Sequence, residues 1–119
     1  MNRVSQITPK EAKQKLDANN GNFLIIDVRE DNEVNFSSIK EKFIHVKLSE
    51  FQTHINEIPK DKELGILCRS GSRSAQVTNF LNYHGYNAVN ISGGINYWAD
   101  SVDSSIQKYA LRNHHIIPM

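Results

Sequence analysis

The single cysteine of this 119-residue chain, Cys68, is followed directly by Arg69, Ser70, Gly71, Ser72, Arg73 and Ser74. These residue types at this spacing suit a nucleophilic sulfur seated in an anion-binding loop. The run has no bulky apolar side chain, so its backbone N–H groups can curl around one point, and Gly71 supplies a conformation closed to other residues. Those amides, the dipole of a following helix and the guanidinium groups of Arg69 and Arg73 would together favour the thiolate of Cys68, the nucleophilic form. A lone cysteine at the end of an apolar strand is commonly an inert small hydrophobe. The hydrophilic, cationic loop is a poor neighbour for such a core residue, which favours the functional reading.

The elements around this run must place it where ligands bind. Leu64 to Leu67 is a short apolar strand candidate ending on Cys68, and Val77, Phe80, Leu81 and His84 fall at helical spacing until Gly85. The cysteine therefore leaves the carboxyl end of a strand and enters a helix N-terminus, the usual binding position of open parallel sheets. Upstream, Thr8-Pro9-Lys10-Glu11 has the form of a capping box opening a helix that Asn19-Asn20-Gly21 stops. Phe23 to Val28 is a continuous apolar run, the signature of a strand buried on both faces. Residues 29–42 mix a helical turn with loop before a further strand candidate, Phe43 to Val46. Ser49-Glu50-Phe51-Gln52 reads as a second capping box, opening a short helix that ends before Pro59, with a turn over Pro59 to Lys62. Ala88 to Ile91 is the fourth strand, Gly93-Gly94 turns the chain into a segment carrying Trp98, and a polar tail follows. Strands alternating with helices predict an α/β fold, a parallel sheet with helices on both faces.

Length and composition set the remaining bounds. The chain suits one domain over 1–119, with a core at about 5–100 and a tail at about 101–119. It carries 14 Lys and Arg against 13 Asp and Glu, interspersed, so it lacks the field that tracks nucleic acid or an anionic membrane. No apolar run approaches the roughly 20 residues of a membrane span, and the N-terminal residues lack the apolar region of a secretory signal. Cytoplasmic location is the default expectation, and one free thiol fits a reducing compartment. His45, His54 and His84 are scattered, and His114-His115 are adjacent in the tail, so no metal site and no cofactor are expected. Trp98 reads as a packing residue.

The run Cys68 to Ser74 resembles the active-site loop of single-domain rhodaneses. Other landmarks match in the same order: Leu24 to Glu30 with its Asp-Val-Arg motif, Glu33, Gly85-Tyr86, and Gly93-Gly94-Ile95 with Trp98. The sequence departs from the family pattern at Ser37-Ser38-Ile39, Glu41-Lys42 and Lys47, where one residue is inserted. The resemblance implies a rhodanese-like fold and a sulfurtransferase in which Cys68 takes a sulfane sulfur from a donor such as thiosulfate, carries it as a persulfide and yields it to a nucleophile. Cyanide, a thiol or a sulfur-carrier protein are the acceptors it implies. Arg69, Ser70, Gly71, Ser72, Arg73 and Ser74 would bind the substrate, and Asp27, Arg29 and Glu33 would support the site, with Asp27 and Arg29 as a structural ion pair.

Persulfide transfer needs one protein thiol, whereas thioredoxin-type redox chemistry would want Cys-x-x-Cys. Two rivals stand against this function. A cysteine-dependent phosphatase or arsenate reductase also uses a thiolate in an anion loop, but tyrosine-phosphatase loops place arginine six positions after cysteine, where this sequence has Ser74. A non-catalytic rhodanese-like module would need neither Cys68 nor Arg69 and Arg73. The tail from Trp98 to Tyr109 resembles the ending of rhodanese domains fused to adenylyltransferases that activate sulfur-carrier proteins. Alternatively, Val102, Ile106 and Tyr109 pack at helical spacing and the tail covers the sheet.

Overall fold

The computed structural model describes residues 4–18 and 21–119. Thr8 and Glu11 form the expected capping box, Glu11 N–H donating to Thr8 Oγ1 at 3.1 Å and Thr8 N–H to Glu11 Oε1 at 2.8 Å. That box opens α1, Pro9–Ala18. Asn19 and Asn20, expected as part of the helix stop, lie outside the described residues.

The sheet has five strands rather than the four that the sequence pattern suggests: β1 (Gln6–Ile7), β2 (Phe23–Asp27), β3 (Ile44–His45), β4 (Glu63–Leu67) and β5 (Asn87–Ile91). Their order is β1-β5-β4-β2-β3, and every pairing is parallel. The extra strand is an edge of two residues, too short for any periodic pattern. Its neighbours hold it through Asn90 N–H to Ser5 O at 2.7 Å and Ser92 N–H to Ile7 O at 2.8 Å.

Alternation along the strands divides the core in two. Ile26, Val28, Leu64, Ile66 and Cys68 face α3 (Phe51–His54) and α4 (Ser72–Tyr83), meeting Phe51, Val77 and Leu81. Phe23, Ile25, Leu67 and Ile91 face α1 and α5 (Gly94–Ser101), meeting Ala12, Ile95 and the fully buried Trp98. Both faces of the central strands are therefore covered, as their continuous apolar runs require.

Two expectations are corrected. Ser49 caps no helix: Leu48–Glu50 is a 3-10 turn that runs into α3, neither element has a side-chain cap, and Ser49 Oγ donates instead to Glu30 Oε1 at 3.3 Å. Leu48 N–H is already bonded to Val28 O at 3.0 Å, which ties the entry of this segment to the end of β2. The tail packs through Val102, Ile106 and Tyr109 against the core under α1 and α5, as one of its two readings expects, but not as a helix. After α5 it turns and forms an antiparallel hairpin, β6 (Tyr109–Arg112) and β7 (His115–Pro118), with Ile106 and Tyr109 buried. Asn113 and His114 close the hairpin with φ of 49° and 68°, a turn made without the glycine that usually signals one. Among the described residues no helix is long and apolar enough to cross a membrane.

Candidate active site

Strand β4 ends at Leu67, and Cys68 follows it, fully buried under the loop it begins. The loop closes on the sulfur. Gly71 N–H donates to Cys68 Sγ at 3.1 Å, Ser74 N–H lies at 3.4 Å and Ser74 Oγ at 3.2 Å. Gly71 has φ +104°, the left-handed conformation anticipated for it, and this turn aims its amide at the sulfur before α4 begins at Ser72.

A residue that the sequence pattern does not single out braces this ring. Asn90 of β5 accepts from Ser74 Oγ at 2.5 Å through Oδ1 and donates from Nδ2 to Gly71 O at 3.1 Å. Because the Gly71 carbonyl fixes the amide's orientation, Ser74 has one hydrogen for two acceptors, Asn90 and sulfur. A protonated Cys68 can donate to Ser74, whereas a thiolate requires the hydroxyl to turn its hydrogen toward sulfur. The one signal in the sequence is a polar residue inside the otherwise apolar Ala88 to Ile91 strand, which needs a partner when buried.

The Gly93-Gly94 turn supports the loop from behind. Ile95 N–H donates to Cys68 O at 2.8 Å and Asn96 N–H to Arg69 O at 3.2 Å, so the first turn of α5 satisfies the loop's carbonyls. A Cβ on Gly94 would lie 2.5 Å from Cys68 O and from the carbonyl carbon and oxygen of Arg69. Only glycine allows the helix to come this close.

The other candidate residues form one connected network. Asp27 at the end of β2 and Arg29 make a wholly buried pair, with Arg29 Nη2 to Asp27 Oδ2 at 2.8 Å and Nε within 3.0 Å of both carboxylate oxygens. Burial works against the Arg29 charge, but Asp27 outweighs it and holds the guanidinium above its ordinary pKa. Glu33 lies in α2 (Asp31–Phe36) and grips Arg73 through two parallel bonds, Nη1 to Oε2 at 2.7 Å and Nη2 to Oε1 at 2.8 Å. Burial alone would raise the Glu33 pKa; the bonds and charge of Arg73, aided by Glu30 N–H and the Tyr109 hydroxyl, bring it below the ordinary value. The same fork, against the cost of partial burial, holds Arg73 firmly charged.

Tyr109, which its sequence context suggests only as a packing residue, joins the two pairs. Its hydroxyl accepts from Arg29 Nη1 at 3.0 Å and donates to Glu33 Oε1 at 2.9 Å. No local pattern could reveal this, since the partners stand 80 and 76 positions away. Burial and the Glu33 charge raise the Tyr109 pKa despite Arg29, so the phenol keeps its proton. Beside this network, Glu30, Asn32, Glu33, Arg73, Leu111, Asn113 and His114 line a cleft of about 450 Å³.

Of the remaining loop residues, Arg69 is half-buried with an Nε that has no partner among the described residues, while Ser70 and Ser72 are exposed. The histidines stay apart: His45 Nε2 bonds Arg29 O at 2.6 Å and His54 pairs with Glu57. Among the described residues no three potential metal ligands cluster.

The chain has relatives in sequence and in structure. Residues 8–101 fit the Rhodanese-like domain family. The chain belongs to that family. A protein of Allochromatium vinosum named sulfurtransferase is 34% identical over 97 residues, which are 81% of this chain and 89% of that one. The Bacillus subtilis protein YtwF, provisionally named a sulfurtransferase, is 35% identical over 95 residues, covering 80% of this chain and 90% of its own. Among solved structures, a rhodanese-related protein from Thermoplasma volcanium superposes with a TM-score of 0.75 at 28% identity, covering 83% of this chain and 94% of that chain. The rhodanese-like match stops at Ser101, so β6 and β7, and with them Tyr109, lie beyond it.

Proposed function

We propose that this protein is a rhodanese-type sulfurtransferase in which Cys68 carries a sulfane sulfur as a persulfide. The observation that carries the reading is the ring around the sulfur: two backbone N–H groups and the Ser74 hydroxyl converge on Cys68 Sγ. Such donors stabilise negative charge on sulfur in the thiolate and in the persulfide.

With thiosulfate as donor, the Cys68 thiolate, its proton released to solvent, attacks the outer sulfur. A new S–S bond forms, the donor's S–S bond breaks and sulfite leaves with the bonding pair. The acceptor, cyanide or a thiol, then attacks the outer sulfur of the persulfide; its bond to sulfur forms as the persulfide bond breaks, and the Cys68 thiolate returns. Arg69 and Arg73, the latter held by Glu33, supply positive charge for an anionic donor. The short loop favours one sulfur atom over a tetrahedral oxyanion, since its amides already lie within bonding distance of Sγ.

Mass spectrometry of the purified protein before and after thiosulfate tests this directly. One added sulfur on the Cys68 peptide, and thiosulfate:cyanide activity that disappears in a folded Cys68→Ser variant, are the expected results. Substantial activity in that variant would overturn the mechanism.

A further inference from the structure

The network around Arg73 includes a residue supplied from outside the family match. Tyr109 opens the C-terminal hairpin, its ring fully buried and edge-on to Phe36 with centroids 5.6 Å apart. Its one hydrogen goes to Glu33 Oε1, the same oxygen that accepts Arg73 Nη2. Its lone pair takes Arg29 Nη1, and Arg29 is locked on Asp27 at the end of β2. The hydroxyl thus ties the rigid Asp27–Arg29 pair to the Glu33–Arg73 pair, and Arg73 directly precedes Ser74, whose hydroxyl and N–H lie 3.2 and 3.4 Å from Cys68 Sγ.

A carboxylate held at both oxygens by fixed donors, here Glu30 N–H on Oε2 at 3.1 Å and the Tyr109 hydroxyl on Oε1 at 2.9 Å, has a fixed plane, and a guanidinium bound to both of its oxygens must share that plane. Without the hydroxyl, Oε1 keeps only Arg73, and carboxylate and guanidinium can swing together about the single remaining fixed contact, Glu30 N–H on Oε2. The tail that carries the hydroxyl is itself held in place. Ser37 Oγ donates to Gln107 O at 2.9 Å, and Asn96 bonds the backbone of Tyr109 at both Tyr109 O (2.8 Å) and Tyr109 N–H (3.2 Å).

We infer that Tyr109 is a positioning residue for the reaction at Cys68: through Glu33 it sets the plane of the Arg73 guanidinium, making the C-terminal hairpin part of the site. This rests on the proposed sulfur transfer. The test is a cycle in the full chain of Tyr109→Phe, which keeps the packed ring, with Arg73→Lys, which keeps the charge and loses the fork. In the wild-type background Tyr109→Phe should lower kcat/KM for thiosulfate about tenfold, the scale of a small misplacement of a charged group. In the Arg73→Lys background it should change it by less than about twofold, because the group it positions is gone. A loss below twofold in the wild type, or equal losses in both backgrounds, would overturn the inference.

A second readout separates this from the reaction itself: the ratio of Cys68 alkylation rates by anionic iodoacetate and neutral iodoacetamide. If wild type transfers no sulfur from thiosulfate, the proposed reaction fails, and the ratio decides the role of Tyr109. A ratio about threefold lower in Tyr109→Phe supports positioning of Arg73 beside Cys68. An unchanged ratio refutes it.

Discussion

Replacing Glu33 by glutamine tests how far the loop depends on its carboxylate. Glu33 Oε2 accepts from Arg73 Nη1 at 2.7 Å and Glu30 N–H at 3.1 Å; Oε1 accepts from Arg73 Nη2 at 2.8 Å and the Tyr109 hydroxyl at 2.9 Å. Each oxygen therefore faces two donors, so the glutamine NH2 meets two donors whichever way the amide is turned. The better orientation puts the NH2 at Oε1, where the Tyr109 hydroxyl can turn and accept from it. One charge-assisted bond is lost even so, at about 1.5–3 kcal/mol, and the phenol hydrogen loses its partner. Removing one partner of a wholly buried ion pair costs about 3–5 kcal/mol. Arg73, whose side chain is 24% exposed, can recruit water and recover part of that. The expected destabilisation at pH 7 is about 2–4 kcal/mol, read in urea as a midpoint lowered by about 2 M with an unchanged slope.

The pH dependence fixes the sign. Glu33 in the fold titrates below its ordinary value of 4.5, so its contribution is complete above that value and is lost as the pH falls through the folded pKa. The stability gap between wild type and Glu33→Gln should be constant from neutral pH down to about pH 5 and close in stronger acid. A destabilisation below about 0.5 kcal/mol at pH 7, or a gap that widens in acid, would refute the assignment of Glu33 as the charged anchor of Arg73.

Asn90→Ala should leave the Gly71 carbonyl without its side-chain donor and the Ser74 hydroxyl with only sulfur of its two acceptors. We expect a loss of about 1–3 kcal/mol in urea denaturation together with at least a tenfold fall in thiosulfate:cyanide activity; full activity would show that the brace is idle. Gly94→Ala forces a Cβ against the backbone of Cys68 and Arg69 at a φ of +62°, with no flexible side chain to yield. It should destabilise by more than about 2 kcal/mol by thermal melting and abolish activity, and near-native values for both would refute the close approach. Deleting the residues after Asp100 removes the buried Ile106 and Tyr109, at about 1.5–3 kcal/mol each, so melting temperature and thiosulfate:cyanide activity should fall together. A truncated protein with native stability and slowed transfer only to a protein acceptor would show the tail to be a docking element instead.

Local chemistry makes much of this protein legible before any coordinates. The apolar run Phe23 to Val28 requires a strand covered on both sides, Thr8 and Glu11 require each other across the first turn of α1, and a cationic, small-residue loop after Cys68 requires something anionic at its centre. Each of these depends on residues within a few positions of one another. The two-residue edge strand β1 carries no such pattern, because its pairing is set by the backbone of β5 and not by its own side chains. The tail hairpin is hidden for a related reason: Asn113 and His114 adopt left-handed turn conformations that their identities only permit. Of the network behind Arg73, the resemblance implies the Asp27–Arg29 ion pair and Glu33 as a support, but the links that join them to Arg73 and Tyr109 are out of reach. Asp27, Arg29, Glu33, Arg73 and Tyr109 come from five separate places: a strand end, the residues after it, a short helix, the loop helix and the tail. Their charges and hydroxyl find partners only after the sheet has brought the ends of β2 and β4 side by side and the tail has folded back over them. Sequence spacing determines what a residue can offer; the distance over which it is accepted, 2.7 to 3.0 Å across as many as 80 positions, is set by tertiary packing alone.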